Sequence, residues 1–163
     1  MPSLPLPILQ DRLRNEVKQA RTRTRHVILL DDPEVTRFPL IVSVTLRNAP
    51  GPVRKNGRVV ENDTHRLVLQ ITQDYPFQKP IVQWMGEIFH PNIMNYSEGG
   101  FVCTKFLEEW SFTSTLSDFL RGIEVLLQKP NPHSSYASCI CREAAVYFLS
   151  REEQAKKPGP GGS

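Results

Sequence analysis

The most informative absence in this 163-residue chain is that of a long apolar segment. No uncharged run approaches the roughly 20 residues that a membrane-spanning helix needs, so we expect no membrane insertion. The opening segment, MPSLPLPILQ, has no positively charged start and is interrupted by Pro2, Pro5 and Pro7, so a secretory signal peptide is not expected either. A composition of 39% hydrophobic and 23% charged residues is typical of a globular domain.

Cysteine is also scarce, which bears on the compartment and on metal binding. Cys103, Cys139 and Cys141 are an odd number without the spacing of a disulfide framework, which favours free thiols and a cytoplasmic protein. Cys139 and Cys141 are two positions apart in a predicted helix and are expected to be semi-buried. This spacing gives poor metal-ligand geometry and no second pair exists, so neither a metal site nor a cofactor is expected.

Charge of either sign is not in large excess, since the net charge is +3, but its distribution is uneven. Residues 11–25 contain six basic and two acidic side chains, so this segment alone carries +4. Arg14, Lys18, Arg21 and Arg25 recur at helical spacing on one face. This face is either a solvated helix surface or a docking surface for an acidic protein. Nucleic-acid binding is not expected, because neither interleaved aromatic residues nor a nucleic-acid motif accompanies the charge.

Apolar residues at helical spacing predict three helices. The first covers residues 6–22, the second starts near Thr115, and the last covers about 135–152. Thr115 and Asp118 form an imperfect capping box, since Asp replaces the preferred Glu or Gln. Tyr136 is expected on the buried stripe of the last helix.

Alternating apolar residues predict four strands, joined as an antiparallel meander. These strands cover residues 26–31, 38–47, 66–72 and 80–85. Residues 49–57, between the second and third strands, are predicted to form a Pro/Gly-rich loop with a tight turn at Asn56-Gly57. With an N-terminal helix and C-terminal helices, the meander makes an α+β fold.

Residues 86–114 have no clear period. A long irregular segment within a compact domain is usually functional or disordered, and because this one contains Cys103 and Trp110 we interpret it as functional. We expect a monomer with a single domain over residues 1–155, followed by a flexible tail at 156–163.

Five short motifs occur in a particular order along the chain. They are DYPFQKP (74–80), IFHPNI (88–93), VC (102–103), EWS (109–111) and LLQKPNP (126–132). Each is common by itself, but their order and spacing resemble the ubiquitin-conjugating enzyme family, whose fold is called the UBC fold. The resemblance covers residues 5–150. It implies the same order of helix, sheet, active-site segment and C-terminal helices that periodicity predicts.

The resemblance implies roles for residues of the irregular segment. Cys103 matches the cysteine that carries the modifier as a thioester. Asn92 matches an asparagine that stabilises an oxyanion or orders the loop. His90 matches a histidine with a structural role, and Pro91 and Trp110 are expected to be structural as well.

Further along the chain, Ser134 falls where the family carries Asp or Ser beside the active cysteine, near the path of the incoming lysine. Many members continue with Pro-Leu, where this chain has Ser135-Tyr136. The gap from Asn92 to Cys103 is longer than is usual in the family. These departures indicate a divergent member.

Family members accept ubiquitin or a ubiquitin-like modifier from an activating enzyme and pass it to a lysine with or via a ligase. The resemblance therefore implies a modifier, an activating enzyme and a RING-type ligase as partners. Phe77 resembles the exposed aromatic residue that contacts ligases, and Phe112 supplies a second apolar anchor where the family often has Pro. Arg14 and Lys18 are candidates for docking the activating enzyme.

Two other functions compete with conjugation. A non-catalytic UBC-like scaffold only binds modifiers, and such proteins typically lack the thioester cysteine, so an exposed Cys103 argues against this alternative. A thiol hydrolase would use His90 as the base for Cys103, yet no local signature of such hydrolases surrounds the cysteine. A hydrogen bond between His90 and Cys103 would favour the hydrolase.

Overall fold

The computed structural model describes residues 2–107 and 109–156, with the backbone alone for Phe106. The tail predicted at 156–163 lies outside the described residues, apart from Lys156. The elements are α1 (Leu6–Arg23), β1 (Val27–Leu30), β2 (Leu40–Leu46), β3 (Gly51–Lys55), β4 (Arg58–Asn62), β5 (His65–Ile71), β6 (Ile81–Trp84), α2 (Leu116–Gln128) and α3 (Cys139–Lys156). Short 3-10 turns cover Tyr96–Glu98, Thr104–Phe106 and Pro132–Ser134. No helix within the described ranges is long and apolar enough to cross a membrane.

The strands β1, β2, β5 and β6 form one antiparallel sheet in that spatial order. This confirms the predicted four-stranded meander. The register places Val44 opposite Leu67 and Leu69 opposite Val82, and all four side chains are buried. Because side chains alternate between the two faces of a strand, this register gathers the apolar residues on the face that packs against the helices.

The prediction of a loop over residues 49–57 is wrong. Strand β3 begins within this segment and pairs with β4 in a separate two-stranded hairpin. The turn at Asn56-Gly57 is confirmed, since the φ angles of 51° and 76° are both positive, as a two-residue type I′ turn requires. Proline and glycine around Gly51 signalled a loop, but Gly51 is instead a site of close packing. A Cβ at this position would lie 2.4 Å from Leu127 Cδ1.

Helix α1 buries Leu9, Leu13 and Val17 against the core, as its periodicity predicts. The helix ends at Arg23, so Arg25 lies beyond it and is not part of the predicted basic face.

Helix α2 begins at its predicted cap. The Thr115 hydroxyl accepts a hydrogen bond from the Asp118 N–H at 3.2 Å, and the Asp118 carboxylate accepts one from the Thr115 N–H at 2.9 Å. The capping box is therefore complete despite the shorter acidic side chain. Gly122 normally costs a helix about 1 kcal/mol relative to Ala. Here it makes room for Leu107, whose Cδ2 lies 3.2 Å from the position of a Cβ.

Helix α3 begins at Cys139 rather than near residue 135, so the predicted start is wrong. Tyr136 precedes the helix and is not on its buried stripe. The new start has two polar caps: the Ser138 hydroxyl accepts from the Cys141 N–H at 3.4 Å, and the Glu98 carboxylate accepts from the Ile140 N–H at 3.2 Å. The second cap comes from the irregular segment, which helical periodicity does not detect.

The two cysteines of α3 also differ from their prediction. Cys139 is exposed, whereas Cys141 is fully buried and its thiol lies 3.6 Å from the Ile93 carbonyl oxygen. Their positions on different sides of the helix follow from the two-residue spacing.

Candidate active site

The segment between Asn92 and Cys103 folds back on itself, so that the two ends of the long gap meet. Ile93 pairs with Val102 in an antiparallel bridge, and the Cys103 N–H donates to the Asn92 carbonyl oxygen at 2.9 Å. The extra residues of the gap therefore form a loop between Ile93 and Val102, which we call the excursion. Its closure leaves Cys103 beside Asn92.

Two glycines allow this excursion to pack against the sheet. Gly99 and Gly100 have φ angles of 117° and 71°, in the region that favours glycine. The Gly100 carbonyl oxygen accepts from the Trp84 N–H at 2.7 Å, and a Cβ on Gly100 would lie 2.3 Å from the Trp84 carbonyl oxygen. The excursion thus continues the hydrogen bonding of β6.

Cys103 is partly exposed and immediately precedes the 3-10 turn at Thr104–Phe106. Cys103 differs in this respect from Cys141, because burial of Cys141 raises the pKa of its thiol. Beyond the turn lies a cavity of about 180 Å³, lined in part by Thr104, Leu107 and Trp110.

Asn92 is fully buried, and the hydrogen-bonding atoms of its carboxamide all bond to one loop that is distant in sequence. Its Nδ2 group donates to the carbonyl oxygens of Asn131 at 3.0 Å and Ser134 at 3.1 Å. Its Oδ1 atom accepts from the Asn131 N–H at 2.7 Å. In this arrangement both amide protons hold the 131–134 loop and neither is directed to the Cys103 thiol. The geometry favours loop ordering over oxyanion stabilisation.

His90 is fully buried, and both of its ring nitrogens serve backbone groups. Nε2 donates to the Leu126 carbonyl oxygen at 2.8 Å, and Nδ1 accepts from the Asn92 N–H at 3.0 Å. Burial lowers the pKa of His90 to about 4, so the ring is neutral at pH 7. With both nitrogens engaged, His90 is not available as a base for Cys103, which argues against the thiol hydrolase.

Ser134 and Tyr136 lie on the loop that Asn92 holds. Ser134 is exposed in the Pro132–Ser134 turn. Tyr136 is half-buried, and its backbone N–H donates to the Pro91 carbonyl oxygen at 3.0 Å. The HPN motif at 90–92 therefore fixes both residues through hydrogen bonds to the backbone.

Tyr136 lies in the electrostatic environment of Cys103. Burial, followed by the charges of Cys103 and Cys141, raises the pKa of Tyr136 to about 12, so the phenol is protonated at pH 7. Sequence analysis missed this position because it placed Tyr136 on a helix. The available signal was Ser135-Tyr136 standing where many family members have Pro-Leu.

Trp110 packs between two segments near the site. Its indole N–H donates to the Pro76 carbonyl oxygen at 2.6 Å. Its ring meets Tyr75 and Phe119 at centroid distances of 5.7 and 5.9 Å. These contacts are those of a packing residue that joins the 73–77 turn to α2.

The candidate partner residues lie on the surface. Phe77 is 44% exposed and Phe112 is 61% exposed, both in turns. Lys18 is exposed, and the exposed Arg14 bonds Asp11 at 3.1 Å. Arg21, which was predicted on the same basic face, is held by the protein itself, because its guanidinium donates twice to the Ile28 carbonyl oxygen.

Within the described residues, no group of three or more His, Cys, Asp or Glu side chains is placed to hold a metal ion.

Comparison with known proteins identifies the family. The family model described as ubiquitin-conjugating enzyme matches residues 12–157, which is most of the chain. The protein therefore belongs to the ubiquitin-conjugating enzyme family.

Individual relatives share about a third of their residues with this chain over the matched segments. Ubiquitin-conjugating enzyme E2 1 of Caenorhabditis elegans is 35% identical over 98 residues, which cover 60% of this chain and 48% of that protein. Ubiquitin-conjugating enzyme E2 2 of Candida glabrata is 34% identical over 125 residues, which cover 75% of this chain and 69% of that protein. The matched segment thus spans about half the length of the first relative and about two thirds of the second.

Solved structures support the fold. S. cerevisiae Ubc12 matches with a TM-score of 0.65 at 20% identity, covering 86% of this chain and 71% of that chain. The E2 domain of a Toxoplasma gondii ubiquitin conjugating enzyme matches with a TM-score of 0.64 at 22% identity, covering 89% and 90%. At these identities the likeness shows the fold alone, and it confirms the predicted α+β UBC fold.

Proposed function

We propose that this protein accepts ubiquitin or a ubiquitin-like modifier from an activating enzyme as a thioester on Cys103 and passes it to a lysine. The observation that carries the proposal is the position of Cys103. Its thiol is partly exposed, and its backbone is hydrogen-bonded to Asn92 within the HPN motif. In the part of the chain that the structure describes, the backbone groups of the other two cysteines, both in α3, make no hydrogen bond to this motif.

The chemistry requires a nucleophile and an activated acyl group. In charging, the Cys103 thiolate attacks the thioester carbonyl of the modifier on the activating enzyme, and the enzyme's thiolate leaves. In discharge, a neutral lysine amine attacks the new thioester, the carbon–sulfur bond breaks, and an isopeptide bond forms as Cys103 regains a proton. The step exchanges acyl groups and needs no cofactor.

The surroundings of Cys103 suit the second step. Ser134 is exposed on the loop that Asn92 holds, and we propose that it lines the path of the lysine. An acceptor amine must lose its proton before attack, and a polar hydroxyl near the thioester helps to orient it.

The partners follow from the surface residues. We propose that Phe77 and Phe112 contact a RING-type ligase, because both aromatic side chains are exposed in turns. Arg14 and Lys18, exposed on α1, are proposed to dock the activating enzyme. The three free thiols favour a reducing compartment and hence the cytoplasm, where we propose that the protein acts as a monomer.

A charging assay tests the function. The parent protein, Cys103→Ala and a Cys139→Ser, Cys141→Ala double variant are incubated with matched pairs of activating enzyme and modifier and ATP, then run on non-reducing gels. We expect a thiol-sensitive adduct on the parent and the double variant and none on Cys103→Ala. Cys103→Ser should give a more stable oxyester.

Two results would contradict the assignment. An adduct that persists in Cys103→Ala, or that mass spectrometry maps to α3, would move the site. Absence of any adduct on the folded parent, while a known conjugating enzyme charges in every matched reaction, would favour the non-catalytic scaffold.

A further inference from the structure

The 131–141 segment, which leads into the first turn of α3, is anchored at three points along its length. At its start, the Asn92 carboxamide bonds the 131–134 loop. In its middle, the Tyr136 N–H donates to the Pro91 carbonyl oxygen at 3.0 Å. These two anchors come from the HPN motif, whereas the third, at the end of the segment, does not.

The third anchor joins the end of the segment to the excursion. The Glu98 Oε2 atom accepts from the Ile140 N–H at 3.2 Å, and the Cys141 thiol donates to the Ile93 carbonyl oxygen at 3.6 Å. Ile140 and Cys141 lie in the first turn of α3, where backbone N–H groups have no acceptor within the helix. A negative charge is also favourable at this end of a helix. Glu98 is therefore the side chain with which the excursion holds the start of α3.

Glu98 extends from a turn that backbone hydrogen bonds fix in place. The Tyr96 N–H donates to the Gly86 carbonyl oxygen at 3.1 Å, and the Gly100 N–H donates to the Asn95 carbonyl oxygen at 3.1 Å. The Glu98 side chain is half-buried, and its second oxygen, Oε1, is buried and accepts no hydrogen bond from the described residues. Substitution of Glu98 thus removes its bond to α3 and leaves the turn that carries it.

We propose that Glu98 is a positioning residue for the transfer to lysine and that it acts by holding the end of the 131–141 segment against the excursion. The inference rests on the proposed function. Asn92 holds the start of the segment and Glu98 holds its end, so Ser134 keeps a fixed position beside the path to Cys103. Attack by an amine depends on its direction of approach, because the carbon–nitrogen bond forms as the carbon–sulfur bond breaks and the electron pair goes to sulfur.

The first test compares two nucleophiles in single-turnover discharge. Parent, Glu98→Ala, Glu98→Gln and Glu87→Ala are charged and then mixed with free lysine or with hydroxylamine. Hydroxylamine is small and neutral at pH 7, so it reports the reactivity of the thioester itself, whereas the lysine amine has to be deprotonated and oriented. Gln keeps an oxygen that can accept from the Ile140 N–H, and the exposed Glu87 serves as the control.

The expected result is a selective loss. Glu98→Ala should discharge to lysine at least about threefold more slowly than the parent, and to hydroxylamine at the parental rate. Glu98→Gln should stay within about twofold of the parent for both nucleophiles, because it loses only the interaction of the charge with the helix end. Glu87→Ala should match the parent. Charging should be near-parental in all variants, because the activating enzyme orients the incoming thioester.

The second test needs neither modifier nor activating enzyme. Buried Cys141 can be alkylated by iodoacetamide only when the start of α3 opens, so its rate of alkylation reports that opening. Each protein carries Cys139→Ser in addition, which leaves Cys141 as the only cysteine of its tryptic peptide. Loss of a cap of ordinary strength predicts that Cys141 reacts about fivefold faster in Glu98→Ala. Glu98→Gln should again stay within about twofold of the parent.

Three results would overturn the inference. Equal slowing with lysine and hydroxylamine would mean that the thioester itself is altered. Parental discharge to lysine together with faster alkylation of Cys141 would leave Glu98 a helix cap without a role in transfer. Unchanged alkylation in Glu98→Ala would mean that the bond does not hold α3. A parent that accepts no modifier would remove the proposed function and the positioning role with it, while alkylation would still decide whether Glu98 holds the helix.

Discussion

Two buried polar clusters join separate segments of this molecule, and they differ in the chemical groups that form them. In the first, which we call the acidic cluster, the Glu16 carboxylate of α1 accepts from the Tyr75 hydroxyl at 2.6 Å, from the Leu116 N–H at 2.9 Å and from the Arg12 guanidinium at 2.7 Å. In the second, the amide cluster, the neutral side chains of His90 and Asn92 bind backbone groups of residues 126–134.

The clusters differ in charge and in what they hold. The acidic cluster joins α1 to the start of α2, and its described contacts do not include the Cys103 segment. Burial, and after it the charge of Glu16, raises the pKa of the Tyr75 phenol. The amide cluster lies beside Cys103 and contains no charged side chain at neutral pH. Neutral hydrogen bonds fix the geometry next to a reacting sulfur without a permanent charge there. The acidic cluster instead carries a charge on which three donors depend, so removing that charge would leave the donors unpaired.

The largest effect should come from breaking the acidic cluster. Glu16→Ala leaves the Tyr75 hydroxyl, the Leu116 N–H and the Arg12 guanidinium without their acceptor, so we expect a loss of about 3–5 kcal/mol in the free energy of unfolding. Urea denaturation measures it. Asp11→Ala, on the exposed side of the same helix, should change stability by less than about 0.5 kcal/mol. If the folded Glu16→Ala protein lost discharge activity, the division between a structural and a reactive cluster would be wrong.

Acid should act mainly through the amide cluster. Burial lowers the pKa of folded His90 to about 4, while the unfolded chain takes up the proton near 6.5. Between these values the unfolded state binds more protons, so stability is complete above about pH 6.5 and falls by about 3 kcal/mol as the pH drops to about 4. Burial of His65 lowers its pKa and adds in the same direction.

Two variants isolate the contribution of His90. His90→Gln should be less stable at pH 7 but should show a flatter dependence on pH, measured by urea denaturation between pH 4 and 7. His133→Gln, at an exposed position, should keep the slope of the parent. An unchanged slope in His90→Gln would mean that the folded ring is not protected from protonation.

Removing the Asn92 side chain should affect reaction more than stability. Asn92→Ala frees the 131–134 loop, and with it Ser134 and Tyr136, so we expect near-parental charging and about tenfold slower discharge to free lysine. Single-turnover discharge on non-reducing gels measures this rate.

A matched control sharpens the result. Asn95→Ala removes a carboxamide that caps the 96–98 turn instead, and it should discharge normally. Equal discharge rates for Asn92→Ala and the parent would remove Asn92 from the mechanism.

The smallest effect should lie outside both clusters, on the exposed face of α1. Arg14→Glu with Lys18→Glu should slow charging by a few fold and weaken its salt dependence, because exposed charges chiefly tune association. Stopped-flow or quenched charging from 50 to 300 mM salt tests this. Lys55→Glu with Arg58→Glu makes the same change of charge at the β3–β4 turn and should be neutral. Identical charging by the α1 variant at every salt concentration would leave that face a solvated helix surface.

Much of the fold was predictable because its signals are local. The burial of Leu9, Leu13 and Val17 follows from helical spacing, and the capping box at Thr115 depends on residues three positions apart. The type I′ turn at Asn56-Gly57 is set by two residues. The start of α3 was not predictable in this way, since one of its caps is Glu98 from another segment.

The sequence by itself determined the four strands of the main sheet, the first two helices, the order of the motifs and the choice of Cys103 as the candidate nucleophile. Only the tertiary structure decided what surrounds that thiol. Asn92 bonds residues 39 and 42 positions away, His90 bonds one 36 positions away, and the Tyr136 N–H bonds the Pro91 carbonyl oxygen from the far side of α2 in sequence. Periodicity reports the average environment of a short segment. Which donor faces which acceptor depends on how α2, the 131–134 loop and the HPN motif pack together, because a hydrogen bond forms only when its partners are placed to within a few tenths of an ångström.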